Sequence, residues 1–190
     1  NVAQTVTVTG VNDVVADGNI TYTVIIGAAT SADPNYNGLN PDDIAVINID
    51  DDQAGVNVFP VSGLTTKEDG STATFQISLN TAPVSNVTIS FASSDATEGT
   101  VSPTQQVFNN TSWNSPATIT ITGVDDLAED GDQPYTVTIS SASSDPNYNN
   151  LSIPSVSVTN LDDTKPRAAD DAATTLEKDP VQVDVLANDK

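Results

Sequence analysis

Strict two-residue alternation of apolar and polar side chains, broken every few residues by turn formers, constrains this chain more than any other feature. In Ser71–Leu79, Ala73, Phe75, Ile77 and Leu79 fall on one side, and Thr72, Thr74, Gln76 and Ser78 on the other. Val87, Ile89 and Phe91 repeat the pattern, as do Val137 and Ile139. A period of two places one face of a strand in a core and the other in water. The β-branched residues Thr and Val dominate these runs, while Gly, Pro, Asn and Asp fill the gaps between them. No segment sustains a helical period. The chain is therefore predicted to be all-β, with Ig-like antiparallel sandwiches as the architecture.

Seven strands are predicted in the central stretch: Val56–Gly63, Ser71–Leu79, Asn86–Ser93, Gln105–Phe108, Ala117–Val124, Tyr135–Ser140 and Ser155–Leu161. An internal repeat sets the boundaries. TVTVTGVNDVVADGNITYTVI from Thr5 matches TITITGVDDLAEDGDQPYTVTI from Thr118, and SADPNYNGL ending at Leu39 matches SSDPNYNNL ending at Leu151. The closing runs VINIDDD and VTNLDD also correspond. Residues 1–52 are thus expected to be the C-terminal half of one domain, and 53–163 a complete second copy. Residues 164–190 do not match the opening of that copy, and are expected to be a linker followed by the first strand or strands of a different domain. The 1–52 stretch offers three strands, Thr5–Val11, Ile20–Ala28 and Ile44–Ile49. Their inward residues Val6, Val8, Val24, Ile26 and Val46 are expected to be covered by further strands, upstream in the same polypeptide or from a neighbouring copy.

The charges follow the same frame. The net charge is −21, with 22 Asp against 4 Glu. Asp favours turns, where its short side chain reaches backbone donors or a metal, rather than helices. If the seven strands alternate in direction, the first, third and fifth connections and the exit of the last strand share one pole. That pole carries Glu68, Asp69, Asp95, Glu98, Asp125, Asp126, Glu129, Asp130, Asp132, Asp162 and Asp163, and the other pole only Asp145. Carboxylates crowded in this way repel unless a cation sits among them. Hard divalent cations bound by oxygen fit such a set, calcium first. Taken singly, Asp69–Gly70, Asp17–Gly18 and Asp130–Gly131 are ordinary turn dipeptides; their convergence on one pole is what points to an ion.

At these residues the chain resembles the Calx-beta domain. KEDGSTATF at 67–75, GVDDLAEDGD at 123–132 and TNLDD at 159–163 carry the likeness, which covers 53–163 fully and 1–52 in part. The Thr-, Ser- and Asn-rich strands are most similar to versions found in large bacterial surface proteins, and ADDAATTLEKDPVQVDVLAND at 169–189 resembles the start of a cadherin-like repeat. The resemblance implies a calcium-binding β-sandwich. Its ligands would be Glu68, Asp95, Asp125, Asp126, Glu129, Asp130, Asp162 and Asp163, and in the first copy Asp13, Asp17, Asp50 and Asp51, with Asp52 adjacent. The third connection, SSDATEGTVSP, lacks the Asp-Tyr pair frequent in that family, which makes Asp95 the least typical ligand. Asn12 replaces the first Asp of the fifth connection, so the first copy is expected to bind more weakly.

Other function classes lack their chemistry. The chain has no His and no Cys, which removes the usual general bases, thiol nucleophiles and soft metal ligands. Aromatic residues make up 5%, too few for the aromatic-lined sugar cleft that a carboxylate-pair glycosidase needs. No enzymatic activity is expected. The charge disfavours nucleic acid and anionic membrane, and no apolar run is long enough to span a bilayer. A missing initiator Met is expected of a fragment or processed product. The expected role is a calcium-stiffened spacer in an extracellular bacterial adhesin or surface filament. Its partners would be neighbouring domains of one long chain, and self-assembly into filaments fits the same picture. The alternative is a glycan- or protein-binding module using the Asp145 pole or a sheet face. Asp33–Asn37 and Asp145–Asn149 (DPNYN) are the candidate loops for it, though their Tyr is expected to pack at the sandwich edge. Trp113 is the candidate stacking residue, though it too is expected to pack at the domain end.

Overall fold

The structure, a computed structural model, describes residues 2–126, 128–163, 172–174, 176–178 and 180–183. It is all-β. Two strands, β1 (Ile20–Val24) and β2 (Ile44–Asn48), form an antiparallel pair in the N-terminal stretch. Nine more build a sandwich: β3 (Val56–Phe59), β4 (Leu64–Lys67), β5 (Thr72–Leu79), β6 (Val87–Ser93), β7 (Gly99–Ser102), β8 (Gln105–Phe108), β9 (Ala117–Gly123), β10 (Gln133–Ser143) and β11 (Val156–Leu161). One sheet has the order β4-β11-β10-β6-β8 and the other β3-β5-β9-β7. Among the described residues no helix is long and apolar enough to cross a membrane.

Two of these strands were not expected. The strand expected over Val56–Gly63 stops at Phe59 and a further strand follows its end: β3 pairs antiparallel with β5, and after Pro60–Gly63 the chain continues as β4 beside β11, in parallel. In the same way β7 pairs with β9, and after Pro103 and Thr104 the chain continues as β8 against β6. A proline cannot donate to a ladder, so the strand leaves one sheet and joins the other without reversing. Because neither switch turns the chain round, the loops stay at the poles that simple alternation assigns.

The inward residues meet between the sheets. Phe75, Ile77, Leu79, Val87, Ile89, Ile119, Ile121, Val137, Val156 and Val158 are all buried. Phe75 and Phe91 lie edge to face at 5.9 Å between ring centres, a favoured aromatic geometry. Thr72, Thr74 and Gln76 are exposed, as their alternation requires.

In the N-terminal stretch, Thr5–Val11 forms no strand. Its counterpart β9 is held between β5 and β7, and residues 1–52 contain no equivalent of those two. Val6 and Val8 are exposed, whereas Val24, Ile26 and Val46 are half-buried. The sequence repeat nevertheless reappears in the hydrogen bonds. Gly18 N donates to Asp50 Oδ2 as Gly131 N does to Asp162 Oδ2. Asn48 Nδ2 reaches Val11 O as Asn160 Nδ2 reaches Val124 O. The tail expected to open a further domain lies largely outside the described residues, and its described positions carry no strand.

Tyr148 closes the pole opposite the acidic one. It is 1% exposed, and its hydroxyl accepts from Thr81 N at 3.1 Å and donates to Thr81 O at 2.8 Å. Asp145, 2% exposed, accepts from Val84 N at 2.9 Å and from Asn147 N at 3.0 Å. The first DPNYN loop makes the corresponding internal bonds, yet Tyr36 is 61% exposed. Removing the Tyr148 hydroxyl orphans two buried backbone groups, so Tyr148→Phe is expected to cost about 1–3 kcal/mol in thermal or urea melts. Tyr36→Phe should cost nothing measurable.

Candidate metal centre

Four chain segments meet at the acidic pole, and backbone bonds knit them together. Glu68 N donates to Leu161 O at 3.2 Å, joining the turn after β4 to the end of β11. Gly123 N donates to Ser71 O at 3.1 Å, and Val124 N to Glu98 O at 3.0 Å, bringing the loop after β9 against the first and third connections. Asp163 N donates to Glu68 Oε2 at 3.3 Å. The pole inferred from alternation is therefore a real cluster.

Beneath it lies a buried polar network. Asn160, 1% exposed, donates from Nδ2 to Glu98 Oε2 at 3.3 Å and to Val124 O at 3.1 Å, while its Oδ1 accepts from Thr66 Oγ at 2.9 Å. Thr66 in turn meets the Tyr135 hydroxyl at 3.2 Å. Burial raises the Tyr135 pKa above its usual value; the Thr66 bond opposes this and the nearby Glu98 charge adds to it. This network fixes Glu98 from below, since a buried carboxylate is tolerated only when hydrogen-bonded or paired.

Above the network the carboxylates fall into two groups. Glu68, Asp125 and Asp163 form one, and Glu98, Asp126 and Asp130 the other, each with one oxygen per residue within 4.8 Å of the other two. Three points so spaced leave a centre at most about 2.8 Å from each, so an ion there would lie within reach of the 2.3–2.6 Å of calcium–oxygen bonds after little or no closure. The donor set, all carboxylate oxygens, is that of a hard cation. Each group holds one buried glutamate at its base and two more accessible aspartates at its mouth. Burial raises the Glu68 pKa above its usual value; the Asp163 N–H opposes this, and the charges of Asp162, Asp126 and Asp163 add to it.

Of the predicted ligands, Glu68, Asp125, Asp126, Asp130 and Asp163 enter these groups. Glu98 enters as well, although the family pattern did not single it out; its place on the acidic pole was the available signal. Asp162 accepts from Gly131 N at 3.0 Å and braces the loop, and Glu129 is exposed outside both groups. Asp95 turns inward on its own loop, accepting from Thr97 N at 3.0 Å and Thr97 Oγ at 2.5 Å; these bonds lower its pKa. Asp69 does the same with Ser71, whose hydroxyl and backbone N–H both lower its pKa.

In the first copy, Asp13, Asp17, Asp50, Asp51 and Asp52 line an open cleft of about 340 Å³. Asp50 accepts from Gly18 N at 2.6 Å and from Asp52 N at 2.9 Å, and the Asp52 bond is the main cause of its lowered pKa. Asp52 is shifted upward by burial first and then by Asp50, Asp51, Asp13 and Asp17. Among the described residues no three-carboxylate group forms there. Glu68 and Glu98, which anchor the two groups of the second copy, have no counterpart in residues 1–52.

Trp113 is half-buried against the core, and its carbonyl accepts from Leu79 N at 2.8 Å. It packs at the domain end rather than standing out as a platform.

No protein-family model matches the chain, and no curated protein matches it. Among solved structures, it is similar to the apo-form Calx CBD1 domain, at 14% identity and a TM-score of 0.42, over 57% of this chain and 96% of that one. It is also similar to WR4, an MSP family member of C. elegans, at 14% identity and a TM-score of 0.38, over 56% and 96% of the two chains. A third is the CsuC–CsuE chaperone–tip adhesion subunit complex of Acinetobacter baumannii, at 10% identity and a TM-score of 0.41, over 58% of each chain.

Proposed function

We propose that residues 53–163 are a Calx-beta-like domain that binds calcium at its acidic pole and serves as a structural spacer. Residues 1–52 are the second half of a like domain. The observation that supports this reading is the pair of three-carboxylate groups, each seated on a buried glutamate. Bound calcium would supply positive charge to offset the repulsion among these side chains, so occupancy would stabilise the folded pole. Glu68 and Glu98 would hold the ions from below, and Asp125, Asp163, Asp126 and Asp130 from the mouth. The same reading makes the protein non-catalytic and extracellular, a stalk or filament segment of a bacterial surface protein, where calcium at about 10⁻⁴–10⁻³ M suffices for modules of this kind.

Calorimetric titration of the 190-residue chain is the test. Calcium should bind with Kd in the range of about 10⁻⁴–10⁻³ M. Asp126→Asn with Asp130→Asn should abolish one site and leave the calcium-free melting temperature within a few degrees, because both side chains lie at the accessible mouth of the group. No binding heat at several millimolar calcium would overturn the proposal.

A further inference from the structure

The two DPNYN loops are an internal comparison. In both, the third residue's backbone N–H donates to the Asp Oδ1, at 2.9 Å for Asn35 onto Asp33 and 3.0 Å for Asn147 onto Asp145. Their amides differ. Asn35 Nδ2 folds back onto Asp33 Oδ1 at 3.0 Å. Asn147 Nδ2 instead swings out to Ala16 O, 2.6 Å away and 131 residues distant in sequence. Beside it, Ala82 N donates to Val14 O at 2.7 Å. Val14 and Ala16 belong to the acidic loop of the first copy, and an open cleft next to this contact sets Asp50 and Asp52 near Asn147.

We propose that the loop Ser143–Asn149, with Ala82, is a docking surface whose partner is the acidic loop 13–17 of the preceding repeat, and that it sets the angle between successive repeats. Asp145 and Tyr148 lock the loop onto its own sandwich through Val84 and Thr81. That leaves the Asn147 amide as the group presented outward. A loop outside any strand ladder exposes backbone carbonyls, and an amide N–H₂ fits those without adding charge next to carboxylates. An acidic side chain at this position would repel both the carbonyl and Asp50 and Asp52. The joint consists of N–H donors on carbonyl oxygens, so it goes beyond the calcium reading and does not depend on it.

The chain contains no Cys, so Thr23→Cys and Gln76→Cys, both at exposed strand positions, give a unique pair for spin labels. The distance distribution between them should be narrow and single in chelator and in calcium alike. Asn147→Asp, which keeps the shape and loses the donor, should at least double its width in both conditions, and Asn147→Ala should broaden it less. The melting temperature should stay unchanged in both variants, since Asn147 is exposed. A broad distribution in the parent chain, or an unchanged one in Asn147→Asp, would overturn the joint. A distribution that narrows only with calcium would also overturn it while leaving the calcium proposal standing. Loss of calcium binding with the Asn147 effect intact would do the reverse.

Discussion

Gly123→Ala is expected to destabilise the sandwich by about 3 kcal/mol or more, through overpacking of a site that cannot relax. A methyl at this position would overlap the backbone carbonyl of Lys67 and come within 2.6 Å of Asn160 Oδ1. Lys67 ends β4, whose backbone is held by β11, and Asn160 is fixed by Thr66, Glu98 and Val124. Neither neighbour is the loose end of a flexible side chain. The fall in melting temperature should be on the order of 15 °C for a domain of this size. Calcium affinity should drop with it, because displacing Asn160 frees Glu98. Thr118→Ala, on the exposed face of the same strand, is the control and should melt normally. A Gly123→Ala protein with parental stability would show that the close approach is not needed.

A second large effect is a reversal of the pH dependence by calcium. Glu68 has a raised pKa in the folded state. Its contribution is therefore fully present below the ordinary value of 4.5 and is lost as pH rises through the higher folded value. Asp52 behaves likewise relative to 3.8. Asp50, Asp69 and Asp95 have lowered values, so their contribution is present above 3.8 and is lost as pH falls through the lower folded values. In chelator the protein should become more stable as pH falls from neutral towards 4.5, then less stable below 3.8. Calcium needs the ionised carboxylates, so with calcium in excess stability should fall over the first interval instead. At a hundredfold excess over Kd each occupied site contributes about 2.7 kcal/mol at neutral pH. Thermal melts across this range, with and without calcium, should converge at the acidic end. Parallel curves would contradict the role given to Glu68.

Much of this is legible in the sequence, because both signals involved are local. Alternation in Ser71–Leu79 shows which side chains must be buried, and Phe75, Ile77 and Leu79 are. The acidic pole also followed from counting strand reversals. The count survived two unforeseen strands because β3 to β4 and β7 to β8 change sheets without turning back.

What the sequence alone determined is therefore the all-β class, the inward faces of the strands in 53–163, the repeat and the pole on which the carboxylates gather. It did so because periodicity and turn chemistry depend on neighbours along the chain. Which carboxylates share a centre was decided only by tertiary structure. Asp95, already the least typical of the expected ligands, is held on its own loop by Thr97 at Oδ1, and Glu98 joined the second group because Asn160, 62 residues away, holds it there. The two DPNYN loops are alike in sequence, yet Tyr148 is buried and Tyr36 is not, since burial depends on the residue 81–84 segment that only the second copy supplies. Contacts between distant segments leave no period in the sequence, and they alone turn an acidic pole into defined groups of oxygen atoms.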